Sequence, residues 1–344
     1  MSLPIEVEVY VVFNKLTYID SIEEKYNAEI DIVSSWIDNS IVVHPNQPFV
    51  YDKNIHWNPL LVFDNVIDEP VIKTRYEVKY LPDSKTTRVI QYQKLMGTLL
   101  ESLEVHAFPF DTQNLGLIVT SLHPTNRLIF IPKQEYSYLA YKAVRDNQRW
   151  DFSQIISFEQ TTYQEQTPYI KSNIYPVVRF NCLASRKSQF YIWNGLIPLF
   201  FITTTVFVSF SFDFSQISSS ARISSCATTL LTSINFRFVI NRYLPTVSYL
   251  TSLDIYDMLS IVFICFVLGW HAICKTDFIH LTTRLDQYVL TGFAGIYVIY
   301  HILFFIFACF LPRRKQKAIL ATKPVGAVQT QQHIIGYENI LDHD

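Results

Sequence analysis

Two rhythms of apolar and polar residues divide this chain. Through the first 185 residues the period is two. Ile5, Val7, Val9 and Val11 are interleaved with Glu6, Glu8 and Tyr10, and residues 29–35 and 177–182 alternate in the same way. Such alternation places one set of side chains on each face of a strand. Pro45-Asn46, Pro82-Asp83, Pro109 and Pro124-Thr125-Asn126 punctuate these runs, and no segment among them has helical spacing. Many short strands separated by frequent turns predict an all-β sandwich of Ig-like topology.

Beyond residue 185 the rhythm gives way to long uncharged runs at 188–212, 223–236, 258–274 and 287–312. The first and last reach the roughly 20 residues that an α-helix needs to cross a bilayer, and the middle two reach it with their flanks. The chain therefore divides into a sandwich over 1–185, a four-helix membrane domain over 186–312 and a polar tail over 313–344. Spans are expected near 188–210, 221–241, 254–274 and 287–311. The connections between them are short, so no further domain fits there. The tail opens with Arg313, Arg314, Lys315 and Lys317.

Ser224, Thr228, Leu231, Asn235 and Phe238 in the second span are spaced 4, 3, 4 and 3, and so share one helical face. A helix surrounded by lipid gains nothing from such a stripe, whereas a helix lining water does. The alternative is small residues allowing close helix packing. Arg237, near the middle of the span, needs a partner or water, and Asp257 is the candidate.

Charge follows the same division. Residues 1–185 carry 22 acidic and 16 basic side chains, a net of −6, and the remainder is net +4. No basic patch for nucleic acid exists. The nine histidines are scattered, and there is no metal-protease, nucleophile-elbow or phosphate-loop motif. An enzyme is not expected, nor any cofactor or metal. Cys182 is the only cysteine of the first 185 residues, so that part holds no internal disulfide, and no glycosylation sequon occurs. The first 30 residues lack a leader-type apolar core. Either a leader has been removed or the first span translocates the sandwich.

Phe108-Pro109-Phe110-Asp111-Thr112-Gln113 adds a further signature. With a β-sandwich ahead of four spans and a polar stripe on the second, it resembles the pentameric ligand-gated ion channels of the Cys-loop receptor superfamily. Ser35-Trp36-Ile37-Asp38, Trp57-Asn58-Pro59 and Trp150-Asp151-Phe152 match family motifs in order, and Arg186 stands where the family keeps an arginine before its first span. Ala221-Arg222-Ile223, Thr228 to Thr232 and Leu244-Pro245 are similar to the glycine and GABA receptor branch. The family's loop cysteines fall near Glu101 and Leu115, so the signature disulfide is absent.

The resemblance implies a homopentamer in the plasma membrane with its sandwich outside the cell, gated by a small-molecule agonist and bathed by membrane lipids. Trp193 and Trp270 would mark lipid grooves. The pore would be lined by Ser220, Ala221, Ser224, Thr228, Leu231, Asn235, Phe238, Asn241 and Arg242, with gates at Leu231 and Phe238. Cation-selective relatives carry a glutamate where Ala221 stands, so chloride is the favoured ion, helped by positive charge from Arg222 and Arg242. Against this, the family's anion motif has proline at Ser220. Coupling would run through Glu23, Glu24, Phe108, Pro109, Phe110, Asp111, Arg186, Pro245 and Tyr249, with Asp111 or the two glutamates facing Arg186. Phe63, His123, Tyr163 and Tyr169 are the candidate ligand residues, and their depleted aromatic set argues against an amine caged by cation–π contacts. Two rivals stand beside this reading: a cation channel of the same family, and a non-conducting, membrane-anchored binding or adhesion protein. The basic tail would by itself favour the cytoplasm, whereas the family places the end of the fourth span outside.

Overall fold

The structure is a computed structural model and describes residues 3–41, 50–82, 85–140, 148–164, 173–212, 216–242, 247–275 and 283–310. Ten strands form the amino-terminal domain: β1 (Ile5–Asp20), β2 (Lys25–Ile37), β3 (Leu61–Phe63), β4 (Val66–Leu81), β5 (Thr86–Leu100), β6 (Thr112–Ser121), β7 (Leu128–Pro132), β8 (Tyr138–Leu139), β9 (Trp150–Gln164) and β10 (Ile174–Arg186). One sheet runs β4-β5-β2-β1-β8, with β7 also parallel to β1, and the other runs β9-β10-β6-β3. They join where Tyr138 of β8 faces Ile155 of β9.

The period of two sets the core directly. Val7, Val9, Val11 and Phe13 of β1 and Tyr26, Ala28, Ile30 and Ile32 of β2 are buried. Leu115, Leu117 and Val119 of β6 and Val178, Phe180, Cys182 and Ala184 of β10 meet them from the second sheet. Each Val, Leu, Ile or Phe among them contributes about 1.5–3 kcal/mol by leaving water.

Four helices follow: α1 (Gln189–Ser211), α2 (Gln216–Asn241), α3 (Ser252–Lys275) and α4 (Thr283–Phe304), the last continued by one wider turn over Phe305–Phe310. All four are long and apolar enough to cross a membrane. Val206, Cys226, Phe263, Ile264, Val267 and Tyr297 pack between them. Several of their polar groups bond to one another, as the absence of water in a bilayer favours. The Tyr297 hydroxyl donates to the Phe200 carbonyl at 3.0 Å and lies 2.9 Å from the Thr204 hydroxyl. His301 Nε2 lies 2.9 Å from the Tyr256 hydroxyl, tying α4 to α3. The two domains meet in a separate apolar cluster of Val105, Phe108, Phe110, Leu196, Leu199, Ile240, Leu253 and Tyr256.

Candidate pore and domain junction

The two faces of α2 differ sharply. Arg222, Cys226, Thr229, Ser233 and Ile240 are buried against the neighbouring helices. Ser220, Ser224, Thr228, Asn235, Asn241 and Arg242 are exposed, Ala221 is half-buried, and Leu231 and Phe238 are 60% and 65% exposed. All nine residues of the candidate pore thus lie on or beside the face that one subunit leaves uncovered. The hydroxyls on this face bond back to the helix itself. Thr228 donates to the Ser224 carbonyl at 2.9 Å and Thr232 to the Thr228 carbonyl at 2.8 Å, the usual way for a hydroxyl to be satisfied on a helix.

Arg222 overturns one expectation. Its side chain points away from the exposed face and is buried, with Nη1 3.0 Å from the Asp286 carboxylate on α4 and Nε donating to the Phe212 carbonyl at 2.7 Å. Asp286 also accepts from the Trp270 indole at 3.2 Å, so Trp270 is engaged inside the bundle. A buried arginine needs such a partner because an unpaired charge in hydrocarbon is costly. The charge of Arg222 is therefore answered within the subunit. Arg237 meets the expected partner: its Nε lies 3.4 Å from Asp257 on α3.

At the junction, Arg186 closes β10 and faces Asp111 with two bonds, Nε to Oδ1 at 2.8 Å and Nη2 to Oδ2 at 3.1 Å. Nη2 also donates to Ser21 at 2.7 Å. The guanidinium lies 4.3 Å from the ring centre of Trp150 and 5.0 Å from that of Phe108. The bidentate fork and the flat aromatic faces match the planar guanidinium. Glu23 and Glu24 do not take this place. Glu23 pairs with Lys25, and Glu24 is an exposed turn residue with φ of 50°. Phe108, Pro109 and Phe110 are buried, the Phe108–Pro109 bond being cis. The loop touches the segment after α2. The Val105 amide donates to the Tyr249 hydroxyl at 3.1 Å, His106 stacks on Tyr249, and the Ser252 amide donates to the His106 carbonyl at 3.0 Å. Pro245 lies outside the described residues.

The candidate ligand residues are not gathered. Phe63 is half-buried on β3 and packs against the sandwich core. His123 stacks on Trp57 with ring centres 5.5 Å apart, its Nε2 2.9 Å from the Asn58 carbonyl. Tyr163 is exposed on β9, and Tyr169 lies outside the described residues. Among the described residues no ring contact links Phe63, His123 and Tyr163. A cavity of about 420 Å³ opens between the sheets beside Leu128, Phe130, Gln160, Thr162 and Pro176, and none of the four candidates lines it. The aromatic cluster that does form joins Trp36, Tyr51, Trp57 and Tyr76.

A sequence model of the neurotransmitter-gated ion-channel ligand binding domain matches residues 1–188. The chain belongs to this family. It is 24% identical over 229 residues to the human gamma-aminobutyric acid receptor subunit rho-1, across 67% of this chain and 42% of that subunit. It is 22% identical over 265 residues to the glutamate-gated chloride channel subunit beta of Haemonchus contortus, across 74% of this chain and 59% of that one. Identity to the human gamma-1 subunit is 24% over 286 residues, 81% of this chain and 58% of the relative. The chain thus spans about half the length of these curated relatives. The family is one of ion channels, not enzymes. With four helices able to cross a bilayer, the chain is a multi-pass protein of the plasma membrane, its ligand-binding domain extracellular.

Two features of the site escaped the sequence reading. Asp286 was available as a lone carboxylate at the start of an apolar segment, which by itself asks for a buried partner. The second is Glu101, whose partners lie far from it in the chain. It is buried and bonded to Arg179 and to the Gly116 amide.

Proposed function

We propose that this chain is a subunit of a pentameric ligand-gated channel that passes anions through a path lined by the exposed face of α2. One observation carries the reading: the uncovered face of α2 alternates hydroxyl and amide groups with Leu231 and Phe238, while its opposite face is packed. Five such faces around an axis enclose water and leave no polar group in lipid. A ring of Leu231 then closes the path by excluding water, with no charged plug. The chain has no carboxylate at Ser220 or Ala221, so cations meet no attracting ring at the inner mouth. The exposed Arg242 adds positive charge at the other end. A relative named as a glutamate-gated chloride channel subunit supports the same ion.

In this reading an agonist bound in the sandwich shifts β10 and the loop carrying Phe108–Asp111. Arg186 and Asp111 move together, and the loop pushes on Tyr249 and Ser252, at the top of the helices. The agonist is a small molecule held without an aromatic cage.

Cation permeation is the second reading, and the pairing of Arg222 with Asp286 favours it by removing one positive charge from the inner mouth. Currents from the Leu231→Ser variant under a salt gradient decide between them. A hydroxyl ring wets the constriction, so the variant should conduct without agonist and reverse near the chloride equilibrium potential. Reversal near the cation equilibrium potential refutes anion selectivity. Surface protein without current, together with a mass below that of a pentamer, refutes the channel itself.

A further inference from the structure

We propose that Glu101, Arg179 and Gly116 form a non-covalent clasp that closes the loop carrying Phe108–Asp111 and positions it on the membrane helices. The inference rests on the reading of that loop as the transmitting element. The loop leaves β5 at Leu100 and returns on β6 at Thr112. Val105, Phe108 and Phe110 of the loop pack into the apolar cluster at the junction, and its place over Tyr249 depends on how its two ends are held as well as on that packing.

The ends are held by side chains. Glu101 Oε2 accepts from the Gly116 amide at 2.9 Å, and Oε1 accepts from the Arg179 guanidinium. Arg179 Nε donates in turn to Asn181 Oδ1 at 2.9 Å. Asn65 reaches across the same gap. Its amide donates to the Leu100 carbonyl at 3.1 Å and to the Gly116 carbonyl at 2.7 Å, and the Tyr26 hydroxyl donates to that second carbonyl at 2.7 Å. The departing and returning strands are thus tied through one buried carboxylate and one carboxamide.

Gly116 is required by space. A Cβ there would lie 2.7 Å from Arg179 Nε and 2.8 Å from Glu101 Oε2, so any side chain displaces the pair. The same geometry shows that position 116, rather than 115, turns towards residue 101: Leu115 faces the core. Burial raises the Glu101 carboxyl above its ordinary range despite the Arg179 charge and the Gly116 amide. A buried pair of this kind adds little net stability, and what it supplies is a fixed position.

Hydrogen exchange on the full-length protein, read by mass spectrometry, tests this without requiring a known agonist or a conducting channel. In Glu101→Ala the amides of Val105, Phe108 and Phe110 should exchange about tenfold faster, because the Gly116 amide and Arg179 lose their partner. The cores of β1 and β2 should be unchanged. Glu101→Gln keeps an acceptor for Gly116 and should stay within about twofold of the parent. Arg179→Gln alters a partly exposed side chain and gives a second, milder loosening should Glu101→Ala fail to fold. Unchanged exchange of the loop, or equal acceleration in loop and core, overturns the clasp. A loosened loop in a chain whose Leu231→Ser form carries no current and has a mass below that of a pentamer leaves the clasp standing and removes the channel reading instead.

Discussion

Arg186 and Arg222 are both buried arginines facing one carboxylate, yet they serve the molecule differently. Arg186 sits where the sandwich meets the helices. Its partner Asp111 lies on the transmitting loop, and Ser21, Trp150 and Phe108 hold the guanidinium from other sides. Arg222 sits inside the bundle, and Asp286 joins the first turns of the candidate pore helix to α4. In the proposed gating movement the first pair links parts that move together. The second takes a charge off the helix that would line the path and hands it to the helix with the least burial. The same chemistry thus couples in one place and withdraws in the other, and the surroundings decide which.

Breaking the membrane pair should have the largest effect. Asp286→Asn leaves the Arg222 charge uncompensated where no water can replace the lost partner, a cost of about 3–5 kcal/mol. The expected outcome is loss of assembled protein in size-exclusion chromatography. Substituting both partners with apolar residues, Arg222→Met with Asp286→Leu, should recover it, and failure of that recovery would show that the bonds to Phe212 outweigh the ion pair.

Asp111→Asn should be milder. Asparagine can still accept from Arg186, and Ser21 and the aromatic faces remain, so the loss is about 1.5–3 kcal/mol, that of a bond to a charged group. Thermal unfolding of the purified protein measures it. A loss as large as that for Asp286→Asn would erase the contrast between the two pairs.

The smallest effect belongs to a solvated counterpart. Glu8 on β1 faces Arg88 at 2.8 Å and Lys133 at 3.1 Å, each partly exposed. Burial pushes its carboxyl up, but the Lys133 bond and the Arg88 charge outweigh that and hold it below the ordinary value of 4.5. A carboxyl lowered on folding adds stability above its unfolded value and loses it as pH falls through the folded one. Glu8→Gln should therefore lower the melting temperature slightly at neutral pH, and the gap to the parent should close below pH 4.5. A gap that persists in acid would mean that packing, not charge, holds the site. Exposed pairs of this kind are expected to be weak.

Much of this was legible beforehand for a definite reason. Alternation at Val7, Val9 and Val11 fixes an inward face because a strand has only two faces. The stripe from Ser224 to Phe238 fixes a helical face because 3.6 residues complete a turn. The Arg237–Asp257 contact followed from the cost of a lone charge in lipid. Arg222 was misread because sequence spacing places it beside the stripe without saying which way a long side chain turns. Glu23, Glu24 and Asp111 were indistinguishable as partners for Arg186, since all three are acids on loops near the same end of the sandwich. The ligand residues were read from positions in a resemblance; in the fold Phe63 lies on β3, Tyr163 on β9 and His123 in the turn after β6.

Local periodicity is a property of the chain itself, so the sequence alone determined the division into sandwich and spans, the buried faces of β1 and β2 and the stripe of α2. Partner choice depends on distance between segments far apart in the chain. Only the tertiary structure decided that Asp286 neutralises Arg222, that Asp111 takes Arg186, and that Glu101 bonds to the Gly116 amide and Arg179.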